Sequence, residues 1–298
     1  MKQPEVSIII LNYNAEKFLR ETLKSIAMQK GLMIETIVVD NNSTDNSKAM
    51  VKKEFPDVLW VQRDTALGFS AGNNAGLPFI HADTVLFLNP DASFIKSSDL
   101  KICCEKLTSD NGIGALTARV DLALTKRIDV TCHRGFPTPW SAFTHFSGLS
   151  RLFPSTPLFN QYTKNYLGYD NEHEIDSVGG MFMLMRRSVG DQVEWWDEDY
   201  PLYGEDIDFC YRLHQAGYHN FFYPKVTVLH YKGASTGMSK HNQTVTTAKK
   251  ETTRQVKDWS IQAMEIFYKK HYVQKYPFFI TWLVYLGIKL LKFRRLSL

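Results

Sequence analysis

The chain has 298 residues, 44% of them hydrophobic and 22% charged, with a formal net charge of +4. That is enough chain to bury a full-sized core, as one large α/β domain or a domain with an appendage, in proportions that exclude a disordered or fibrous protein. So small an excess of positive charge gives no sign of a nucleic-acid partner, and much of it falls in the last fifty residues.

Along the first ninety residues, strand and helix signals alternate. Val6 to Leu11 is an unbroken apolar run, expected as a buried parallel strand, and it ends in Asn12-Tyr13-Asn14. At six residues it is too short for the apolar core of a secretion signal, so the folded part is expected to face the cytoplasm. Phe18, Leu19, Leu23 and Ile26 then recur at helical spacing between Ala15 and Gln29. Ile34 to Val39 predicts a second strand, with Asp40 at its carboxyl end and a polar run to Ser47 rich in helix-capping types. A third strand is expected around Val58 to Gln62. It leads into the glycine-spaced stretch Gly68 to Gly76, which holds Asn73 and Asn74. Thr84 to Leu88 predicts a fourth strand, stopped by Asn89-Pro90-Asp91.

This alternation implies an α/β fold with a mostly parallel, doubly wound sheet, in which ligands bind beyond the carboxyl ends of the strands. Asn12, Tyr13, Asp40 and Asp91 all fall at that edge. Residues 132 to 170 carry Pro137, Pro139, Trp140, Pro154 and Pro157, and they read as a loop-rich lid or insertion. Ser177 to Arg186 is expected as a strand, and Tyr218 to His230 as one or two more. Between them, Glu205 and Asp206 follow Gly204 at the head of an amphipathic segment.

Local chemistry leaves alternatives open at each of these positions. Crowded carboxylates beside aromatic residues have the raised pKa a general base needs, yet acidic residues also stabilise helix N-termini. Asp91 is either a hard oxygen ligand for Mg2+ or Mn2+ or part of a Pro-Asp turn; His230 is either a metal ligand or a packed histidine. Asp40 is either a ligand contact or a helix cap. The glycines of 68–76 do not match a dinucleotide fingerprint, and no P-loop occurs. Cys103, Cys104, Cys132 and Cys210 show no metal-ligand spacing and read as reduced thiols.

From about Thr246 a helical tail is expected, and Pro277 opens the uncharged run Phe278 to Ile288, followed by Lys289, Lys292, Arg294 and Arg295. Eleven residues make only about 17 Å of helix, against roughly 30 Å of bilayer hydrocarbon. The expectation is a tail that lies on a membrane surface, its cations meeting anionic headgroups, with a helix packed on the main domain as the alternative.

The order of the motifs resembles the family 2 glycosyltransferases of the GT-A fold, in the branch containing bacterial rhamnosyltransferases. The pieces that carry the likeness are Ile8 to Asn14, Val38 to Asp45, Gly68 to Gly76, Leu86 to Asp91, Val178 to Met181, Asp197 to Asp208 and His230 to Ser235. The resemblance implies a GT-A domain over 1–240, with a nucleotide-binding half (1–95) and an acceptor and catalytic half (96–240), and a membrane-associating tail over 241–298. It implies that Leu11, Tyr13, Asp40, Gly68, Asn73, Asn74 and Asn89 line the nucleotide sugar. Asp91, with His230, would hold Mg2+ or Mn2+; Asn89 stands where most of the family has the first metal-motif carboxylate. Asp206, with Glu205 beside it, would be the general base of an inverting transfer.

The implied partners are a nucleotide-sugar donor, dTDP-L-rhamnose or a UDP-sugar, and a saccharide or lipid-linked saccharide acceptor. The expected place is the inner face of the cell membrane, in cell-surface polysaccharide synthesis. Two competing readings are a non-catalytic sugar-nucleotide-binding subunit, which would tolerate loss of Asp206, and a nucleotidyltransferase, which would want a basic, glycine-rich loop where Leu11 to Asn14 stands.

Overall fold

The computed structural model describes residues 3–66, 68–232 and 250–296. Gly233, Ala234 and Ser235 of the last motif, Thr246 at the expected tail start, and Lys249 lie outside the described residues.

The first half builds as its periodicity dictates. Strands β1 (Val6–Asn12), β2 (Ile34–Asp40), β3 (Leu59–Gln62) and β4 (Thr84–Leu88) alternate with helices α1 (Glu16–Ala27), α2 (Ser47–Glu54) and α3 (Phe69–Asn74). Ile8, Ile9 and Ile10 are all fully buried because helices cover both faces of the sheet, so β1 reads as a continuous apolar run rather than an alternation. The short β5 (Ala92–Phe94) and α4 (Asp99–Ser109) lead to the long β6 (Ile113–Leu122).

The second half is less regular. It runs through β7 (His133–Arg134), α5 (Pro139–Ser147), α6 (Leu149–Leu152), β8 (His173–Ile175), β9 (Ser177–Val178), β10 (Phe182–Arg186), α7 (Arg187–Gln192), α8 (Glu205–Gln215) and β11 (His219–His230). The main sheet has the order β3-β2-β1-β4-β10-β6-β11-β5, with β8 also on β11. Pairing is parallel across β3, β2, β1 and β4, and β10 then enters antiparallel to β4 and β6, making the sheet mixed.

Two expectations need correction. The predicted strand over 177–186 is broken at Gly179-Gly180-Met181, so β9 pairs with β7 in a separate ribbon while β10 joins the main sheet. A Cβ on Gly179 would lie 2.8 Å from the Thr131 carbonyl oxygen, so this crossing requires glycine. The segment read as loop-rich also contains α5, whose N-cap Thr138 accepts the Ser141 N–H at 3.1 Å and which ends at Gly148 with φ +88°.

The tail forms α9 (Lys250–His271) and α10 (Phe278–Leu296). Among the described residues no helix is long and apolar enough to cross a membrane. Ala263, Phe267, Tyr268 and Tyr272 of the tail pack with Tyr200, Ile207 and Tyr211 in a second apolar cluster, so α9 lies directly against α8.

Candidate active site

The carboxyl ends of β1 and β2 carry the first group of predicted residues. Asp40 is buried, and three neutral donors hold it: Asn12 Nδ2 at 2.8 Å, the Ser43 N–H at 2.9 Å and Gln62 Nε2 at 2.8 Å. Tyr13 next to it is 40% exposed, an open aromatic face at the sheet edge. Leu11 packs beneath α3, where Gly72 leaves it room.

Gly68 is fixed by packing: a Cβ there would come within 2.3 Å of the Pro201 carbonyl oxygen, which accepts the Phe69 N–H at 3.2 Å. The two asparagines are engaged internally. Asn73 donates to the Phe69 carbonyl at 2.9 Å, and Asn74 bridges to the Trp196 carbonyl and Glu198 at 2.8 and 2.9 Å. Gly68 and Asn74 thus fasten the first half to the loop that precedes α8.

A second group gathers where β11 ends against β5. His230 Nε2 lies 3.2 Å from Asp91 Oδ1 and 3.4 Å from Asn89 Nδ2. Its other ring nitrogen, Nδ1, faces Asp129 Oδ2 at 3.2 Å. Burial works against the imidazolium, but Asp91 and Asp129 outweigh it and raise the His230 pKa to about 9. Burial likewise opposes ionisation of Asp129, yet the hydrogen bond to His230 and the Lys232 ammonium hold its carboxyl far below the usual range. Among the described residues no three His, Cys, Asp or Glu side chains are arranged to hold an ion by themselves. Asp91 would offer an oxygen donor and His230, on giving up its Nε2 proton, a nitrogen donor, which suits an ion that takes its remaining ligands from substrate phosphates.

The third group is the acidic pair at the start of α8. Tyr203 and Gly204 both take left-handed φ values, +68° and +82°, an uncommon conformation for tyrosine, and so aim the first turn of α8. Asp206 Oδ2 pairs with Arg134 and accepts the Gly180 N–H at 3.2 Å. Oδ1 accepts the Ile207 N–H at 2.8 Å. Glu205 differs: its Oε2 is buried without a hydrogen-bond partner, and burial, reinforced by Asp206, raises its pKa to about 8. At neutral pH Glu205 therefore favours its protonated form. Two residues on, Asp208 is fully buried among Tyr200, Arg212 and the tail residue His271, at 3.1, 2.8 and 2.7 Å. Burial opposes its ionisation, but the bonds from His271 and Arg212 prevail and lower its pKa.

The structure joins the second and third groups through one short segment. Asp129 meets His230, and five residues later Arg134 meets Asp206. Neither residue is singled out by the sequence. Asp129 bonds across 101 positions and Arg134 across 72, and no local pattern announces contacts of that range.

The sequence profile of Glycosyl transferase family 2 matches residues 7–192. The N-acetylglucosaminyl-diphospho-decaprenol L-rhamnosyltransferase of Mycobacterium tuberculosis is 25% identical over 244 residues, 77% of each chain. Rhamnosyltransferase WbbL of Escherichia coli is 24% identical over 76% of this chain and 83% of its own. Among solved structures, the mannosyltransferase PcManGT from Pyrobaculum calidifontis, in complex with GDP-Man and Mn2+, superposes with a TM-score of 0.57 at 17% identity over 90% of this chain. TarS 1–349 of S. aureus superposes with a TM-score of 0.54 at 15% identity over 87%. The chain spans 65% of the length of each of those two solved chains. The profile covers well over half of the chain, and the relatives align with most of it: this protein belongs to glycosyl transferase family 2 and is a glycosyltransferase of rhamnosyltransferase-like sequence.

Proposed function

We propose that this chain is an inverting transferase that moves a sugar, L-rhamnose first among the candidates, from a nucleotide diphosphate to a saccharide hydroxyl. The observation that carries the reading is the 129–134 segment, which ties the Asp91–His230 pair to the Glu205–Asp206 pair. One pair suits a leaving diphosphate and the other an attacking hydroxyl.

Asp206 Oδ1 receives one backbone N–H, which leaves a lone pair for an acceptor hydroxyl, while Arg134 and Gly180 fix the other oxygen. Arg134 holds the carboxylate in one orientation. Glu205, protonated and buried beside it, adds no second negative charge. Tyr13 offers its open ring to a base, and Asp40 retains a lone pair on Oδ1 toward the ribose or base. In this reading Gly68, Asn73, Asn74, Asn89 and Leu11 shape the donor site, with Asn74 acting through the 196–198 loop. Asp91 and His230 would hold Mg2+ or Mn2+, and that ion, when bound, stabilises negative charge on the departing diphosphate. PcManGT, whose structure contains GDP-Man and Mn2+, supports a divalent ion and a nucleotide-sugar donor.

The acceptor is proposed to be lipid-linked, reached from the membrane surface. One face of α10 exposes Phe279, Trp282, Leu286, Leu290 and Phe293, and the 140–158 segment exposes Phe143, Leu152 and Leu158. Burial, then Arg151, then Arg295 at the end of α10 lower the pKa of His145 in α5, which places the end of α10 near that segment. With exposed Lys289 and Arg294, these surfaces suit an anionic bilayer.

Calorimetric titration of dTDP-L-rhamnose and a panel of UDP-sugars, with and without Mn2+, tests the donor. Tight, metal-dependent binding of one donor is expected; binding of none overturns the reading. Sedimentation with vesicles of anionic and of neutral lipid tests the surface. Trp282→Glu with Phe293→Glu is expected to release the protein from anionic vesicles, and unchanged sedimentation overturns that part.

A further inference from the structure

Asp129 is buried to 2% exposure at the N-cap of a 3-10 turn, Val130–Cys132, and four donors converge on its carboxylate. Oδ1 accepts the Thr131 N–H at 3.0 Å, the Thr131 hydroxyl at 2.6 Å and the Lys232 ammonium at 2.6 Å. Oδ2 faces His230 Nδ1 at 3.2 Å. Lys232 also donates to the Thr131 hydroxyl at 2.9 Å, so Thr131 braces the same group from two sides. The backbone is equally committed: the Asp129 N–H bonds to the Val120 carbonyl at 2.7 Å, and its carbonyl accepts the Cys132 N–H at 2.9 Å.

Such burial of a charge is costly unless partners compensate it. Here both compensating side chains come from the end of β11 and its continuation, the stretch that reaches Asp91. A carboxylate on Nδ1 fixes that nitrogen as the donor and leaves Nε2 pointing at Asp91. Carboxylate partners of this kind orient histidines that bind metal, and removing them costs about 10–100-fold in metal affinity.

We infer that Asp129 is a positioning residue for the leaving-group end of the reaction, holding His230 Nε2 toward the divalent ion and Lys232 within reach of the diphosphate. The inference rests on the proposed reading of Asp91 and His230 as an ion and diphosphate site. It adds that their alignment is set by a carboxylate from the middle of the chain, which touches neither ion nor substrate. Asp129 thus acts only through its two partners.

That indirectness makes it testable by a double-mutant cycle. The affinity of UDP and of dTDP is measured by calorimetry with and without Mn2+, and the ratio gives the metal-dependent increment. Asp129→Ala is expected to lower that increment by about 10–100-fold. His230→Ala lowers it as well, and the double variant should be no worse than His230→Ala alone. Asp129→Asn can still accept from Nδ1 but no longer matches the Lys232 charge. It should keep most of the metal increment while weakening metal-free nucleotide binding severalfold.

Additive losses in the double variant, or an Asp129→Ala increment within twofold of the original, overturn the inference. A lowered melting temperature with an unchanged increment in both variants would mark Asp129 as purely structural and also overturns it. Should Asp129→Ala fail to fold, the Asp129→Asn variant decides through its split between metal-dependent and metal-free binding. Absence of any metal increment in the unaltered protein, with nucleotide still bound, removes the ion site itself and the inference with it. Absence of all nucleotide binding removes the donor reading as well.

Discussion

Asp40 in the first half of the sheet and Asp129, Asp206 and Asp208 in the second are all buried carboxylates, but different means keep them there. Asp40 accepts from an asparagine, a glutamine and a backbone N–H, all neutral and all from the neighbouring β1, β2 and β3 edge. Each of the other three meets a basic side chain from a distant segment: Lys232 and His230 for Asp129, Arg134 for Asp206, and His271 for Asp208, which also pairs with Arg212 one turn along its own helix. Neutral donors hold a carboxylate in place without cancelling its charge. Charged partners set its protonation and tie it to elements far along the chain, so damage in the second half should spread further.

The largest break in this contrast should come at Asp206. Asp206→Asn is expected to lower kcat about 10²–10⁴-fold, the scale of a lost general base, with donor affinity within severalfold of normal. Steady-state rates alongside calorimetry will show it, and a parallel loss of both would reassign Asp206 to architecture. Arg134→Met should cost about 3 kcal/mol of stability by stranding that carboxylate. Pairing it with Asp206→Asn should recover part of the loss in chemical denaturation. Asp40, by contrast, should tolerate Gln62→Ala at about 1 kcal/mol, one neutral bond among three.

His271→Ala tests the reach of the second half into the tail, with an expected cost of about 2 kcal/mol at pH 7. Because the Asp208 pKa is lowered in the fold, its contribution is complete above the ordinary Asp range, near about 4, and fades as pH falls through the folded value. The cost of His271→Ala should therefore hold down to about pH 4 and shrink only below it, as melting curves taken from about pH 5 downward would record. Glu205 has the opposite sign. With a folded pKa raised to about 8, the native state holds a proton that the unfolded chain releases near about 4.3. Stability should decline as pH rises between those values and level off above. Glu205→Gln should flatten that decline and so stabilise the protein at about pH 8 relative to the unaltered chain.

The contrast between the halves also explains what the sequence could say. β1 to β4 lie within two residues of their expected bounds, because each is an apolar run closed by polar or turn-forming residues. The head of α8 is equally plain from Gly204-Glu205-Asp206. Other features needed three dimensions. Thr138-Pro139 and Gly148 are a helix start and stop, yet with so many prolines nearby they read as loop. The break at Gly179-Gly180 looks like an ordinary strand until Thr131 is seen against it. Asn73 and Asn74 announce polar chemistry, while the fold turns them inward to a helix carbonyl and the 196–198 loop. Asp129 reads locally as no more than a cap for the turn at Thr131, and Arg134 carries no local pattern, because the partners that give them meaning are 101 and 72 positions away.

Helix α9 has a practical bearing on how this protein is cut and handled. Lys270 grips Asp197 and Asp199, His271 reaches Asp208, and Ala263 stands 3.1 Å from where a side chain on Gly204 would begin. A shortened chain that stops before residue 250 would uncover Tyr200, Ile207 and Tyr211 and leave Asp208 with one partner fewer, next to the very turn that aims Asp206. A chain ending at 276 would keep all of those contacts and lose α10 with its bonds to α9, among them Thr281 to Tyr268, Lys292 to Asp258 and Arg295 to Ser260. For anyone trimming the protein to make it behave in solution, the safer cut lies after Tyr276, just past α9 and some forty residues beyond where the family motifs stop.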